Sequence, residues 1–449
     1  MKKLTEGNLY KNFILFAIPI VLSGLLSQGY TIINTIIAGK FLGNDGLSAV
    51  GSCSSLVTFI SSIFWGYSAG YSIYVAKLFG AGDNKELKKV VCNNIAAIFS
   101  VTIFVSAVVI LFRNQILDFL KVDESIRSQA AVYMTTIFCG LCLATVNTSC
   151  VFVMQAIGLS TFPFVMSAIS AVTTIIGNVF TVTVLEWGVF GIAISSIAAS
   201  VIVSICYGIK IKKCFAELGV EKHRVSFDIK VFKESFPYSV PTMLQQMVMY
   251  FATLLIAPMV NAIGSAATAS YVVVQKVYDL NAGVYQNSAK SVSNYTAQSV
   301  GARRFKNLKK GVKVGFIQGV VLLSPMLLGC VFFAEPVCKL FFPKNGGAEA
   351  LEYSLIFSRI YLPFIYINVI NNLFHAFFRG TASMKLLFTS TAIGAVSRLI
   401  FTALFVEKFA MSGVFIGWVI SWAVEAVFAV AMYLSGRWKK NIKGYSLQQ

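Results

Sequence analysis

Charged residues are scarce in this chain. Asp, Glu, Lys and Arg together make 12% of its 449 residues, about half of the roughly 25% that soluble domains carry. Hydrophobic residues make 57%, and the mean hydropathy is +0.76. A soluble protein of this size needs more polar surface to cover its core, and a disordered chain needs a polar, highly charged composition. The composition therefore argues against both classes and predicts a multi-span membrane protein.

Residues that carry enzymatic and metal chemistry are also few. His223 and His375 are the only histidines, and the CxxC pair of Cys139 and Cys142 has no second pair with which to complete a zinc site. No metal is therefore expected. The sequence contains no recognisable serine or cysteine nucleophile with a histidine and an acid partner, no GxxxxGK[ST] phosphate loop and no potassium-selectivity sequence. These absences argue against an enzyme, an ATP-driven pump and a channel of that kind.

What the chain has instead is long apolar stretches. About 20 apolar residues are enough to cross a bilayer as a helix. Twelve such stretches predict an all-α integral membrane protein with twelve transmembrane helices, at 13–38, 46–78, 92–112, 130–153, 162–185, 189–210, 235–260, 266–298, 312–334, 351–376, 385–406 and 411–434. The first stretch is too long for the core of a signal peptide, so we expect it to be retained as a span.

The net charge of +19 comes from basic clusters between the apolar stretches. Such clusters are typical of cytoplasmic loops that face anionic lipid, so we expect membrane lipid and not nucleic acid as a partner. With twelve spans the clusters fall on one side, and the positive-inside rule places both termini of this cell-membrane protein in the cytoplasm. The clusters are Lys2 to Lys11, Lys85 to Lys89, Lys210 to Lys233, Arg303 to Lys313 and Arg437 to Lys443.

Short motifs recur in the two halves at a nearly constant offset. Gly80-Ala81 matches Gly301-Ala302 at an offset of 221, and Pro19 matches Pro241 at 222. Further matches are Leu87-Lys88-Lys89 with Leu308-Lys309-Lys310, Gly158 with Gly380, and Gly191 with Gly413. The repeat predicts two pseudo-symmetric six-helix lobes in the same orientation, as in many secondary transporters. We assign an N-terminal lobe to 1–210, a cytoplasmic linker to 211–234 and a C-terminal lobe to 235–449.

Several strings of the sequence are similar to those of a known family. They are Ser27 to Tyr30, Asn34 to Gly43, Leu47 to Gly51, Phe79 to Asp83, Pro241 to Gln246, Gly301 to Arg303, and Arg379-Gly380. On these residues the chain resembles the MATE (multidrug and toxic compound extrusion) transporters, within the wider multidrug/oligosaccharide-lipid/polysaccharide flippase group. The resemblance implies two lobes around a cavity that opens alternately to each face. It also implies export of amphipathic organic cations coupled to proton or sodium entry. The coupling ion is then H+ or Na+, with no cofactor, and we expect a monomer.

The resemblance is incomplete at the acids that commonly couple ions in the family. Asn34 stands where many members have an aspartate on the first helix, and Val182 stands where another is common, four residues after Asn178. The seventh span has no acid, and an acid of the tenth span in other members falls near Asn368. Either the coupling site has moved, or transport is uncoupled.

Ionisable side chains within the spans are costly and usually functional. Glu425 lies in the middle of the twelfth span and is our candidate for proton coupling; the alternative is a hydrogen-bonded structural glutamate. Asp279 is a second coupling candidate, although Lys276 lies three residues away and can pair with it for packing. The amides of Asn34 and Asn178 can offer oxygens to sodium or bond two helices without an ion.

Polar side chains on the first helix of each lobe, where a cavity is expected, are candidates for substrate binding. They are Gln28, Tyr30, Gln245 and Gln246, to which we add Asn368. Hydrogen bonding between helices is the alternative role. Lys290 and Arg398 within the spans would favour an anionic or zwitterionic ligand.

A secondary active multidrug exporter is the leading prediction. A flippase or exporter of a lipid-linked or amphipathic metabolite stays open, as does a receptor or scaffold without transport.

Overall fold

The computed structural model describes residues 4–120, 122–223, 225–342 and 348–442. In these ranges it contains thirteen α-helices and no strand. The helices are α1 (Leu9–Ala81), α2 (Asn84–Leu111), α3 (Arg113–Phe119), α4 (Glu124–Ala156), α5 (Thr161–Thr183), α6 (Gly188–Glu217), α7 (Ile229–Asn261), α8 (Ser265–Gly301), α9 (Leu308–Phe332), α10 (Ala334–Lys339), α11 (Ala348–Ile356), α12 (Tyr366–Gly380) and α13 (Met384–Leu434). A π-helical turn at Phe357–Tyr361 and a 3-10 turn at Leu362–Ile365 join α11 to α12.

Ten segments of the described chain are long and apolar enough to cross a membrane. α1 supplies two of them, Leu9–Thr31 and Ser48–Ala81. α8 is not among the ten, because its 37 residues include many serine, asparagine, glutamine and tyrosine side chains. α13 counts once, although its 51 residues contain two helices joined at a bend. With α8 included and α13 divided, the fold has the twelve spanning helices that the apolar stretches predict.

The bend in α13 lies at Ala410, whose φ of 48° and ψ of −128° are not helical. The residue 222 positions earlier is Gly188, which also has a positive φ, of 57°, at the start of α6. Gly413 follows the bend, and a Cβ there would lie 2.2 Å from the carbonyl oxygen of Phe405. Glycine therefore allows the two segments of α13 to pack closely. The turn between α5 and α6 and the bend in α13 are thus equivalent parts of the repeat.

Two compact units divide the described chain. Unit 1 contains Leu22–Met243, and unit 2 contains Leu4–Val21 and the chain from Leu244 onward. Both divisions fall within three residues of a proline inside a helix, Pro19 in α1 and Pro241 in α7. Such a proline removes a backbone hydrogen bond and favours a bend. The first turns of α1 thus belong to unit 2, and those of α7 belong to unit 1.

In unit 1 the first turns of α7 pack on α1. The ring of Tyr74 stacks on the ring of Tyr238 with centroids 5.4 Å apart, and the Tyr74 hydroxyl donates a hydrogen bond to Glu234. A Cβ at Gly70 would lie 2.4 Å from Cα of Ser239. Gly70 therefore allows the backbones of the two helices to approach each other closely.

The stretch 211–234, predicted as a linker, contains the last turns of α6, a loop and the first turns of α7. Lys88 on α2 holds this loop, because its Nζ donates to the carbonyl oxygens of Val220, Glu221 and His223 at 2.8 to 2.9 Å. These three bonds satisfy backbone acceptors that have no helical partner.

In unit 2, α12 packs against α8, α9 and α13. The start of the chain joins this unit through α8: the ring of Phe13 lies edge-on to that of Tyr295 at 5.1 Å, and the amide of Leu4 donates to Oε1 of Gln298 at 2.9 Å. The buried position of α12 places the polar side chains described next in the interior of unit 2.

Candidate functional site

α12 carries a stripe of polar side chains. Asn368, Asn371, His375 and Arg379 follow one another at spacings of three or four residues, which places them on one face of an α-helix. The first three are buried and Arg379 is half-buried. Polar groups in such a setting require hydrogen-bond partners within the protein.

His375 meets Glu425 of α13 along this stripe. Nε2 of His375 lies 3.1 Å from Oε1 of Glu425, and the two side chains are 9% and 13% exposed. Nδ2 of Asn371 donates to the other carboxylate oxygen, Oε2, at 3.4 Å and to the carbonyl oxygen of Trp422 at 3.1 Å. The hydroxyl of Ser390 lies 3.2 Å from Nε2 of His375. Glu425 is thus a largely buried acid whose two oxygens both have a partner on α12.

The second ring nitrogen of His375 faces an amide. Nε2 of Gln245 lies 3.4 Å from Nδ1 of His375 and donates to the hydroxyl of Thr391 at 2.9 Å. Oε1 of Gln245 accepts a hydrogen bond from Nη2 of Arg379 at 3.1 Å. An amide nitrogen only donates, so Nδ1 accepts, and the proton of neutral His375 then lies on Nε2, toward Glu425. The network therefore orients the imidazole for proton exchange with the carboxylate.

Gly394 on the first segment of α13 provides the space for the carboxylate. A Cβ at this position would lie 2.7 Å from Oε2 of Glu425 and 2.8 Å from its Cδ. Any larger residue would therefore displace the acid from its partners on α12.

The first half of the chain has an amide pair at its predicted ion site. Nδ2 of Asn178 donates to Oδ1 of Asn34 at 2.7 Å, which links α5 to α1 in unit 1. Oδ1 of Asn178 is buried and makes no hydrogen bond to a described side chain or backbone group. One free amide oxygen falls well short of the six or more oxygens that a hard cation such as Ca²⁺ takes. In the described ranges no group of three or more His, Cys, Asp or Glu side chains could hold a metal ion.

Two of the residues predicted to bind substrate lie at the network in unit 2. Gln245 is one of its members. Asn368 adjoins it, because its Oδ1 accepts a hydrogen bond from Nδ2 of Asn371 at 3.3 Å. The other three are half-buried on the leading helices: Gln28 and Tyr30 on α1 in unit 1, and Gln246 on α7 in unit 2.

The remaining ion-coupling candidate, Asp279, lies on α8 apart from this network. It is half-buried, and Lys276 on the same helix is exposed. The ion pairs within 4 Å among described residues do not include this pair.

His375 and Arg379 are site residues that the sequence-based predictions did not include. His375 was considered only as a zinc ligand. The signal that points to both is the helical spacing of polar residues from Asn368 to Arg379 in an otherwise apolar span.

Comparison with known proteins identifies the fold. A protein-family model described as MatE matches residues 19–180 and 241–404. This chain belongs to the MATE family. The two matches begin 222 residues apart and confirm the internal repeat. Because members of this family are membrane transporters, the chain is a multi-pass membrane transporter and not an enzyme.

Relatives and solved structures cover nearly the whole MATE chain. Two proteins of Bacillus subtilis (strain 168) are each 24% identical to it: "Probable multidrug resistance protein YoeA", over 98% of this chain and 96% of the relative, and "Probable multidrug resistance protein YpnP", over 97% of both. Among solved structures, a MATE protein in complex with MaL6 has a TM-score of 0.88 at 17% identity, covering 99% of both chains. A MOP superfamily transporter from Pyrococcus furiosus has a TM-score of 0.87 at 16% identity, covering 99% of this chain and 100% of the other. These structures confirm the predicted all-α, two-lobed fold.

Proposed function

We propose that this MATE transporter is a secondary active multidrug exporter of amphipathic organic compounds, organic cations among them, that works by alternating access. The names of the Bacillus relatives support the substrate class, since both are described as probable multidrug resistance proteins. The coupling ion in this proposal is the proton. The observation that carries it is the 3.1 Å contact between His375 and Glu425 in the interior of unit 2.

Several positions that commonly carry coupling acids in the family cannot bind a proton in this chain. Asn34, Val182 and Asn368 have no titratable group. Glu425 and His375 are a titratable pair in contact within the spanning helices, and intramembrane titratable groups are typical of proton pathways. We therefore assign proton coupling to this pair and not to the first half.

The pair can respond to protons because protonation of Glu425 changes the strength of its contact with His375. When Glu425 is ionised, Nε2–H of neutral His375 donates a charge-assisted hydrogen bond to the carboxylate. A proton on Glu425 removes that charge and weakens the bond. Since one residue lies on α12 and the other on α13, proton binding changes the contact between the two helices. A proton arriving from one side can thus favour one conformation of unit 2 over another.

In this proposal the half-buried side chains of Gln28 and Tyr30 in unit 1, and of Gln246 in unit 2, stay candidates for substrate contact, each within its own unit. Amide and phenol groups can orient a ligand whose remaining surface is apolar. We further propose a monomer in the cell membrane, surrounded by lipid, with both termini in the cytoplasm; the basic clusters support this orientation.

Flux measurements in liposomes test the proposal. Purified protein is reconstituted, a pH gradient or a sodium gradient is imposed separately, and the flux of ethidium is followed. We expect flux with the pH gradient alone, and we expect Glu425→Gln to abolish it. Glu407→Gln is the matched control, because Glu407 is an exposed glutamate of the same helix. Flux driven by sodium alone would instead assign coupling to Na+. Unchanged proton-driven flux in Glu425→Gln would make Glu425 structural.

A second candidate function has a specific observation in its favour. The Nε atoms of Arg379 and Arg398 are buried in unit 2 and have no hydrogen-bond partner among the residues that the structure describes. The Pyrococcus transporter is itself described as having a binding pocket of reverse polarity, suggesting a different function. Export or flipping of an amphipathic metabolite with an acidic group is therefore the alternative, and absence of ethidium flux under both gradients would favour it.

A further inference from the structure

We propose that Arg398 and Trp418 form a subsite in unit 2 for the carboxylate group of an aromatic amphipathic substrate. The inference rests on the proposed export function and specifies which compounds the transporter selects. The cation–π pair, the polar atoms around it and the surrounding rings each support it.

The guanidinium of Arg398 lies over an indole ring. Its Cζ is 3.9 Å from the centroid of the Trp418 ring, within the range of a cation–π contact. A guanidinium over a ring still has N–H groups at its edge that can donate to another group. Those N–H groups match the two oxygens of a carboxylate. Arg398 is half-buried, so part of its side chain is accessible.

Polar atoms without partners surround the same indole. Nε of Arg398 and Nε1 of Trp418 are buried and make no hydrogen bond within the described part of the chain. The ring of Tyr271 packs edge-on to that of Trp418 at 5.8 Å. Both nitrogens can only donate a hydrogen bond. Buried donors without acceptors are unfavourable, so the cluster favours an acceptor-rich group.

The nearby acids do not neutralise Arg398 directly. Asp279 and Glu425 act on it electrostatically through space. Neither forms an ion pair with it within 4 Å among the described residues, and Oε1 of Glu425 is in contact with His375 instead. A substrate that carries an amine as well as a carboxylate would match both signs of charge. We therefore expect a zwitterion to bind better here than a simple anion.

Flat aromatic surfaces continue the site. The ring of Tyr278 stacks on Trp422 at 5.8 Å with an interplanar angle of 16°, and the ring of Phe357 lies edge-on to Trp418 at 5.9 Å. Such surfaces suit the ring system of a planar ligand. The subsite thus combines a fixed cation with aromatic walls, which fits an aromatic compound that carries a carboxylate.

Two dyes that differ only in the acid test the inference. Rhodamine 110 has a free carboxyl group and rhodamine 123 is its methyl ester. Binding to the full-length protein in detergent is measured by fluorescence anisotropy. We expect Arg398→Gln to weaken binding of rhodamine 110 about tenfold or more, since a hydrogen bond to a charged group is lost. Binding of the ester should change less than about twofold, because it has no carboxylate to lose.

Control variants separate a binding role from a folding role. Lys385→Gln removes an exposed cation from the same helix and should leave both dyes unaffected. Trp418→Phe keeps an aromatic face but removes Nε1, and should weaken the acid more than the ester; it also decides the question if Arg398→Gln does not fold. Equal effects on the two dyes, or no binding of either, would overturn the inference. Ethidium flux in liposomes still tests the proposed export function separately.

Discussion

An alanine at position 394 perturbs the contact between His375 and Glu425 without removing either charge. Its Cβ would lie 2.7 Å from Oε2 of Glu425. An ordinary contact needs about 3.5 Å, so the carboxylate has to move by about 0.8 Å. A movement of that size disturbs the 3.1 Å contact with His375, which is already near the ~3.2 Å limit of a good N–H···O bond.

We expect this displacement to impair coupling. A hydrogen bond to a charged group contributes about 1.5–3 kcal/mol. Gly394→Ala should therefore reduce ethidium flux under a pH gradient about tenfold. In thermal stability the variant should be non-additive with Glu425→Gln, because both act on one contact. The assays are flux in liposomes for Gly394→Ala, and the free energy of unfolding for the two single variants and the double variant.

Gly329→Ala on α9 is the matched control. A Cβ at Gly329 meets no atom within 4 Å, so flux should match the wild type. Stability should stay equal or rise by about 0.5–1 kcal/mol, since alanine favours the helix. Wild-type flux in Gly394→Ala, or effects on stability that add fully with those of Glu425→Gln, would refute the assigned role of the contact.

Three further variants test the fold and the first half. Gly70→Ala should destabilise unit 1 by about 1–3 kcal/mol through its clash with Ser239, and an unchanged thermal midpoint would contradict the close packing. Ala410→Gly should raise the midpoint by relieving a positive φ that costs about 1 kcal/mol; a fall would contradict this. Asn178→Ala should cost about 1 kcal/mol yet retain proton-driven flux. Loss of proton-driven flux in a folded Asn178→Ala would contradict the assignment of coupling to unit 2 alone.

The twelve spans and the repeat could be predicted because each depends on short stretches of sequence. Hydropathy reports each span over about 20 residues, and the offset of 222 between Pro19 and Pro241 persists in the two family matches. The span at 266–298 was predicted as an apolar stretch, although the polar residues of α8 keep it out of the ten helices that are apolar enough to cross a membrane.

The unit to which the first turns of α1 and α7 belong could not be predicted in the same way. Which unit the first turns of α1 join depends on long-range packing, such as that of Phe13 on Tyr295. A proline marks where a helix can bend, but it does not specify what the preceding turns contact. The same limit applies to the first turns of α7 before Pro241.

The candidate site was predictable only in part. Glu425 stood out because an acid within a span is costly. Its partner His375 is 50 residues away in sequence, and their contact depends on how α12 packs on α13. The orientation of the imidazole depends in turn on Gln245 of α7. A contact that joins three helices cannot be read from local sequence, although the spacing of polar residues on α12 indicated a buried polar face.

Proton release on substrate binding tests the central claim most directly. Ethidium is added to purified protein in weakly buffered detergent solution, and the pH change is recorded with an indicator dye. If His375 and Glu425 couple substrate to protons, the wild type and Glu407→Gln release protons when ethidium binds, and Glu425→Gln binds ethidium without release. Equal release from Glu425→Gln, or none from the wild type despite binding, would contradict proton coupling at this pair.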